Sequence, residues 1–114
     1  MEDLFKFTVI GTETYLKEVN KLPKNYLEMV EKIPSKLAEN PFSGSPLSYI
    51  FLREKRINEK RIYYLVYEDL KLVLLVAVSG KKDQQLTIDH IKENLKEFRI
   101  AAEQLSQSFK ATLS

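Results

Sequence analysis

The sequence predicts an α+β domain: a small antiparallel sheet of about four strands, an N-terminal helical hairpin and a long C-terminal helix, in the order β-α-α-β-β-β-α. Three observations carry this. Period-two alternation marks residues 5–9, three strand-like segments bounded by short loops follow between 49 and 78, helical periodicity marks 15–37 and 88–109, and three of the four Pro with one Gly fall between Pro34 and Pro46. With 114 residues, 44% of them hydrophobic, the chain fills one core and not two, so a single domain over 1–114 is expected.

Each element has a local reason. Phe5, Phe7 and Val9 alternate with Lys6 and Thr8, a half-buried strand ending at Gly11. Thr12 or Thr14 can cap a short helix whose Tyr15, Leu16, Val19 and Leu22 recur at helical spacing. Pro23 suits the first turn of a second helix, where a missing N–H costs nothing. Tyr26, Val30, Ile33 and Leu37 give that helix an apolar face, and Pro34 inside it is expected to kink or split it. After the loop 40–46, strands are expected over 49–57, 60–68 and 71–78, joined by Asn58-Glu59 and Asp69-Leu70 as a meander. The run from Leu72 to Val78 is apolar on both faces, so that strand should be internal and covered. From Thr87, Ile88, Ile91, Leu95, Phe98, Ala102, Leu105 and Phe109 succeed one another at alternating spacings of 3 and 4, one long amphipathic helix. Residues 103–114 turn Ser-, Gln- and Ala-rich and are expected to fray.

Composition excludes several classes of function. The longest apolar run is far short of the about 20 residues a bilayer span requires, so no membrane partner is expected. The acidic opening Met1-Glu2-Asp3-Leu4 lacks the basic region of a secretory signal, and the absence of Cys fits a reducing cytoplasm. One His and no Cys leave neither a thiolate nucleophile nor a metal site, and no cofactor is expected.

The net charge of +2 hides its distribution. Residues 53–61 read Arg-Glu-Lys-Arg-Ile-Asn-Glu-Lys-Arg, and Lys81-Lys82 come after the apolar strand. These eleven positions hold seven basic and two acidic residues, a charge of +5, while the remaining 103 sum to −3. Clustered cations suit a polyphosphate backbone, whose condensed counterions they displace. Lys and Arg guarding an edge strand against aggregation would give the same pattern.

The run Leu37-Ala38-Glu39-Asn40-Pro41-Phe42-Ser43-Gly44, then Lys55-Arg56-Ile57, Arg61-Ile62-Tyr63-Tyr64-Leu65-Val66-Tyr67, and a hydrophobic strand closing in Gly80-Lys81-Lys82, resembles the RelE/ParE toxin superfamily over residues 5–98. The resemblance implies the fold above and metal-independent, ribosome-dependent cleavage of mRNA for RelE-like and HigB-like members, or gyrase poisoning for ParE-like ones. It also implies a cognate acidic antitoxin. In such cleavage a ribose 2′-hydroxyl attacks the adjacent phosphate, and the protein stabilises the dianionic phosphorane while moving two protons. Arg61 matches the family's arginine at the start of the penultimate strand, Arg56 a second basic position, and Lys81 and Lys82 the cations after the last strand, like the HigB branch. These four are the expected catalytic residues. Arg53, Lys55 and Lys60 are the expected RNA-binding cations; of Tyr63, Tyr64 and Tyr67, Tyr63 is the best placed to stack on a base, although strand tyrosines are more often core with a hydroxyl reaching the rim. The stretch from Asp83 to Ile88 offers no Tyr or His as general acid, where the family usually carries one. His90 is the nearest substitute, and Glu54 is a second candidate acid or base.

These residues suit two classes of function. One is an mRNA endonuclease toxin acting at the ribosome. The other is a non-enzymatic protein, a ParE-like gyrase inhibitor or a degenerate toxin that only binds RNA or antitoxin. The C-terminal helix is a candidate homodimer surface, though packing on its own sheet accounts for its stripe more simply.

Overall fold

A computed structural model describes residues 6–113 of the chain. Residues 1–5 and Ser114 lie outside the described residues, and with them the acidic N-terminus and the Phe5 end of the expected first strand. The elements are β1 (Thr8–Gly11), α1 (Glu13–Asn20), a 3-10 turn (Lys24–Tyr26), α2 (Leu27–Glu39), β2 (Ser45–Leu47), β3 (Tyr49–Ile57), β4 (Lys60–Tyr67), a second 3-10 turn (Glu68–Leu70), β5 (Leu72–Gly80), α3 (Gln84–Glu93) and α4 (Leu95–Leu113). The five strands lie in the order β1-β5-β4-β3-β2. Only β1 runs parallel to its neighbour, β5. Among the described residues no helix is long and apolar enough to cross a membrane.

The α+β architecture is as the periodicities predict, with four differences, the first being that β1 joins the expected antiparallel sheet parallel to β5. A short fifth strand, β2, forms within the central loop and pairs with β3 through an irregular register. Pro34 does not break α2, which runs through it to Glu39. Pro34 is exposed, so water can serve the carbonyl its missing N–H releases, while Ile33 and Leu37 are buried on the other face. The expected long C-terminal helix is two helices. Asn94 takes φ −115° between α3 and α4, and its side-chain amide donates to the His90 carbonyl at 2.8 Å. That bond satisfies an orphan acceptor at the end of α3, which lets the backbone leave the helix without cost to it.

Both sheet faces are covered. On one, Tyr15, Val19, Ile33 and Leu37 of α1 and α2 pack on Ile62, Tyr64, Val73 and Leu75. On the other, Ile88, Ile91 and Ala102 of α3 and α4 pack on Tyr63, Leu65, Leu74 and Val76. The cap of α1 is Thr12, whose hydroxyl accepts from the Tyr15 N–H at 3.1 Å.

A bulge interrupts β5. Tyr63 pairs with Ala77 but Tyr64 pairs with Leu75, so Val76 is the extra residue. The bulge reverses the alternation of every residue after it. Val78 turns toward the α1–α2 core, and Ser79 turns to the α3 side, opposite Arg61.

Burial pushes the Tyr15 and Tyr67 hydroxyls up from 10.0 to about 12. A folded-state value above the unfolded one means the stability is fully present below pH 10 and lost as pH rises toward 12. Thermal unfolding followed by circular dichroism from pH 9 to 12 should show a loss of about 2 kcal/mol for each ring. Tyr15→Phe should flatten the decline, and a decline of unchanged steepness in that variant would show that Tyr15 is not its source.

Candidate functional site

The hairpin between β3 and β4 sets the site. Its two-residue turn places Asn58 at φ 55°, a left-handed conformation that Asn tolerates better than most residues. Ile57 then pairs with Lys60, Arg56 with Arg61, and Glu54 with Tyr63, while β5 brings Ser79 opposite Arg61 and Gly80 opposite Lys60. Cross-strand partners share a face, so Glu54, Arg56, Arg61, Tyr63 and Ser79 all point to the α3 side. Arg53 and Lys55, paired with Tyr64 and Ile62, point to the other. The basic run is therefore divided between two faces.

At this end of the sheet, a cleft of about 490 Å³ is lined by Arg56, Lys60, Arg61, Lys81 and Lys82, with Glu59 and Asp83 the only acids on its wall. Arginines directly opposite on adjacent strands repel each other, so the Arg56–Arg61 pairing is a local cost that the fold sustains. Arg56 is exposed, and its Nε donates to the Asn58 carbonyl at 3.1 Å. Neither the Lys81 nor the Lys82 ammonium has a hydrogen-bond or ion-pair partner among the described residues, and both residues are exposed.

Arg61 and Arg53 are buried equally, each 8% exposed, yet they differ in hydrogen bonding. Arg53 Nε donates to the Gly44 carbonyl at 3.0 Å, Nη1 to Ile50 at 2.9 Å, and Nη2 to Phe42 at 3.0 Å and Gly44 at 2.7 Å. Its guanidinium also lies over the Phe42 ring. Nε and Nη2 serve the loop and Nη1 the strand itself, and Tyr64 closes the loop further by accepting from the Gly44 N–H at 2.9 Å. Gly44 is required there: a Cβ would stand 2.6 Å from the Tyr64 hydroxyl. Arg61 has none of this. Its Nε and Nη1 are buried without a hydrogen-bond partner, and the Glu54 carboxylate lies 3.9 Å from Nε, too far for a hydrogen bond. An unpaired buried donor costs about 1–3 kcal/mol, more when charged, so Arg61 stands on the cleft wall as a charge the fold leaves uncompensated.

The remaining expected residues divide between the cleft and its surroundings. Tyr63 is wholly buried and offers no face for stacking on a base. Its hydroxyl lies 2.8 Å from Ser79 Oγ, and Ser79 donates to the Gly80 carbonyl at 3.0 Å, so the single Ser79 proton is used and Tyr63 is the donor to Ser79. These linked hydrogen bonds end at the residue before Lys81. Burial raises the Tyr63 pKa, which keeps it a donor. Lys55 sits on the opposite face, its ammonium 3.4 Å from Ser43 Oγ. His90 is exposed on α3 and lines a separate groove with Thr12, Val76 and Phe98, so it is not part of the cleft wall. Glu54 is not on the cleft wall but borders it through Arg61, its carboxylate 3.9 Å from Arg61 Nε and held at 3.2 Å by Gln84 Nε2.

Ser79 and Gln84 carry no sequence signal that singles them out. Ser79 reaches the site only because of the bulge, and Gln84 is one of two adjacent glutamines after the Lys pair.

No protein-family model matches the chain, and no curated protein sequence matches it. Solved structures do. A chain of the RelBE2 toxin–antitoxin complex of Mycobacterium tuberculosis is similar with a TM-score of 0.59 and 23% identity, over 68% of this chain and 94% of that one. For the intact E. coli RelBE toxin–antitoxin complex the values are 0.57 and 20%, over 66% and 95%. For a mutant of E. coli toxin RelE in the free state they are 0.65 and 17%, over 77% and 97%. The chain has the RelE fold.

The two arginines should respond oppositely to removal. Arg53→Ala leaves two loop carbonyls and that of Ile50 without this donor and should cost about 2–4 kcal/mol in urea unfolding. Arg61→Met removes an unsatisfied charge and should be neutral or stabilising by about 1–2 kcal/mol. Equal losses in both variants would make Arg61 a structural residue.

Proposed function

We propose that this chain, which has the fold of the RelE toxins, is the toxin of a toxin–antitoxin pair and cleaves mRNA at the ribosome through the cleft around Arg61. The observation that carries the reading is the Arg61 guanidinium, buried, without a hydrogen-bond partner and facing a wall of four further cations. RNA cleavage by its own 2′-hydroxyl needs a fixed bidentate cation for the phosphorane, and Arg61 supplies a fork that keeps its charge. Glu54, the one carboxylate within 4 Å of Arg61 among the described residues, accepts the 2′-proton. Lys82 or Lys81 donates a proton to the departing 5′-oxygen, while Arg56 and Lys60 hold the flanking phosphates. An acidic segment of a cognate antitoxin would compete for these cations and close the cleft.

The cleft wall carries no phenol or imidazole. That favours a second reading, a protein that binds RNA or an antitoxin, or poisons gyrase, without cleaving. Incubation with translating mRNA and mapping of the products distinguishes the two. Cleavage should leave 2′,3′-cyclic phosphate and 5′-hydroxyl ends, and Arg61→Ala should lower its rate by about 100-fold or more and abolish growth arrest on induction. Intact mRNA with altered DNA supercoiling would favour the second reading, and cleavage unaffected by Arg61→Ala would remove Arg61 from the mechanism.

A further inference from the structure

We infer that Gln84 is a positioning residue that holds the Glu54 carboxylate off Arg61 and so keeps the guanidinium free to take a phosphate. The inference rests on the reading of the cleft as a phosphate site. Its basis is one oxygen with two suitors. Glu54 Oε2 accepts from Gln84 Nε2 at 3.2 Å and lies 3.9 Å from Arg61 Nε. A carboxylate and a guanidinium this close and this buried ordinarily close to about 2.8 Å, because the ionic hydrogen bond is worth roughly twice a neutral one. Here the neutral amide holds the oxygen and the cation goes without.

The position of Gln84 explains how it holds. It opens α3, directly after Asp83, whose carbonyl accepts from the Thr87 N–H at 3.0 Å and from the Thr87 hydroxyl at 2.8 Å. The backbone of Gln84 is tied back to the Lys81 carbonyl at 3.4 Å, and the hydrogen bonds linking Tyr63, Ser79 and Gly80 secure the strand end before it. Gln84 thus reaches Glu54 from a fixed helix start. A lysine or arginine at this position would neutralise Glu54 and crowd the cleft with a further cation, and an alanine would release the carboxylate onto Arg61. Glutamine does neither, because it donates without charge. A carboxylate closed on Arg61 would occupy the donors that a phosphate needs, so Gln84 acts on ligand affinity through Glu54 and not by touching the ligand.

The test is binding of a short RNA oligonucleotide made uncleavable by 2′-deoxy substitution, followed by fluorescence anisotropy with the full chain. Gln84→Ala should weaken binding by about tenfold, the effect of one charge-assisted hydrogen bond. In a Glu54→Gln background the same substitution should change binding less than about twofold, since the carboxylate it restrains is gone. Equal weakening in both backgrounds would mean that Gln84 contacts the RNA or supports the fold, and would overturn the inference. Binding that depends on Arg61, being lost in Arg61→Ala, but ignores Gln84 would overturn it while leaving the cleft reading in place. Absence of binding by the unsubstituted protein, or binding indifferent to Arg61→Ala, would remove the cleft reading and the inference together.

Discussion

The site depends on one register. The two-residue turn at Asn58 and Glu59 decides that Arg56 faces Arg61 and that Glu54 faces Tyr63. Side chains alternate along a strand, so a slip of one residue would bring Arg53 and Lys55 to the α3 face and turn Glu54 and Arg56 to the loop. The turn can hold that register because Asn58 accepts a left-handed backbone, and because Leu52 and Ile57 are buried in the cores on opposite faces of β3, places that either slip would exchange. The cost of opposing Arg56 and Arg61 is met by this packing. A local rule of sheet pairing is broken at one place in a well-packed sheet, and that place is the cleft.

The bulge at Val76 is the second half of the same device. Without it, Val78 would stand opposite Arg61 and Ser79 would belong to the α1–α2 side. With it, the apolar residue goes to the core and the hydroxyl to the site, where Ser79 links Tyr63 to the Gly80 carbonyl. The exit of β5 is thereby fixed before the chain reaches Lys81 and Lys82. Tyr63 contributes through this link, at a distance from any ligand, and its aromatic ring serves the core against Leu65 and Leu74.

Much of the fold is visible in the chain because its signals are periodic and local. The bounds of β3 come from a strand-like segment set between turn signals, and the burial of Ile33, Leu37, Ile88 and Ile91 from helical spacing alone. What is missed turns on single hydrogen bonds or single backbone angles. The stripe from Ile88 to Leu105 continues across Asn94, so periodicity cannot see the break that an amide bond to His90 permits. Charge concentration around residues 53–61 is legible, but its division between two faces is a matter of register and not of composition. The run Leu72 to Val78 is apolar at every position, so it carries no alternation in which a bulge could show. Gln84 is hidden for a related reason: its role lies in a distance to Glu54, thirty residues away in sequence.

Pairing, more than the amount of charge, separates the structural arginines from the functional candidate. At the other end of the sheet Arg99 donates to both Asp69 oxygens at 3.0 and 2.7 Å and to Glu103 at 3.0 Å, and lies over the Tyr67 ring. The Arg99 guanidinium holds the Asp69 carboxyl below the usual range, and the two carboxylates raise the arginine in turn. Arg53 is spent on the loop at 42–44 and on the Ile50 carbonyl of its own strand in the same complete way. Arg99 fastens α4 to the turn after β4, Arg53 fastens the central loop to β3, and each is satisfied by the element it fastens. Arg61 fastens nothing. A buried guanidinium that holds no element in place is a local cost to the fold, and the proposed phosphate in the cleft is the partner that would offset it.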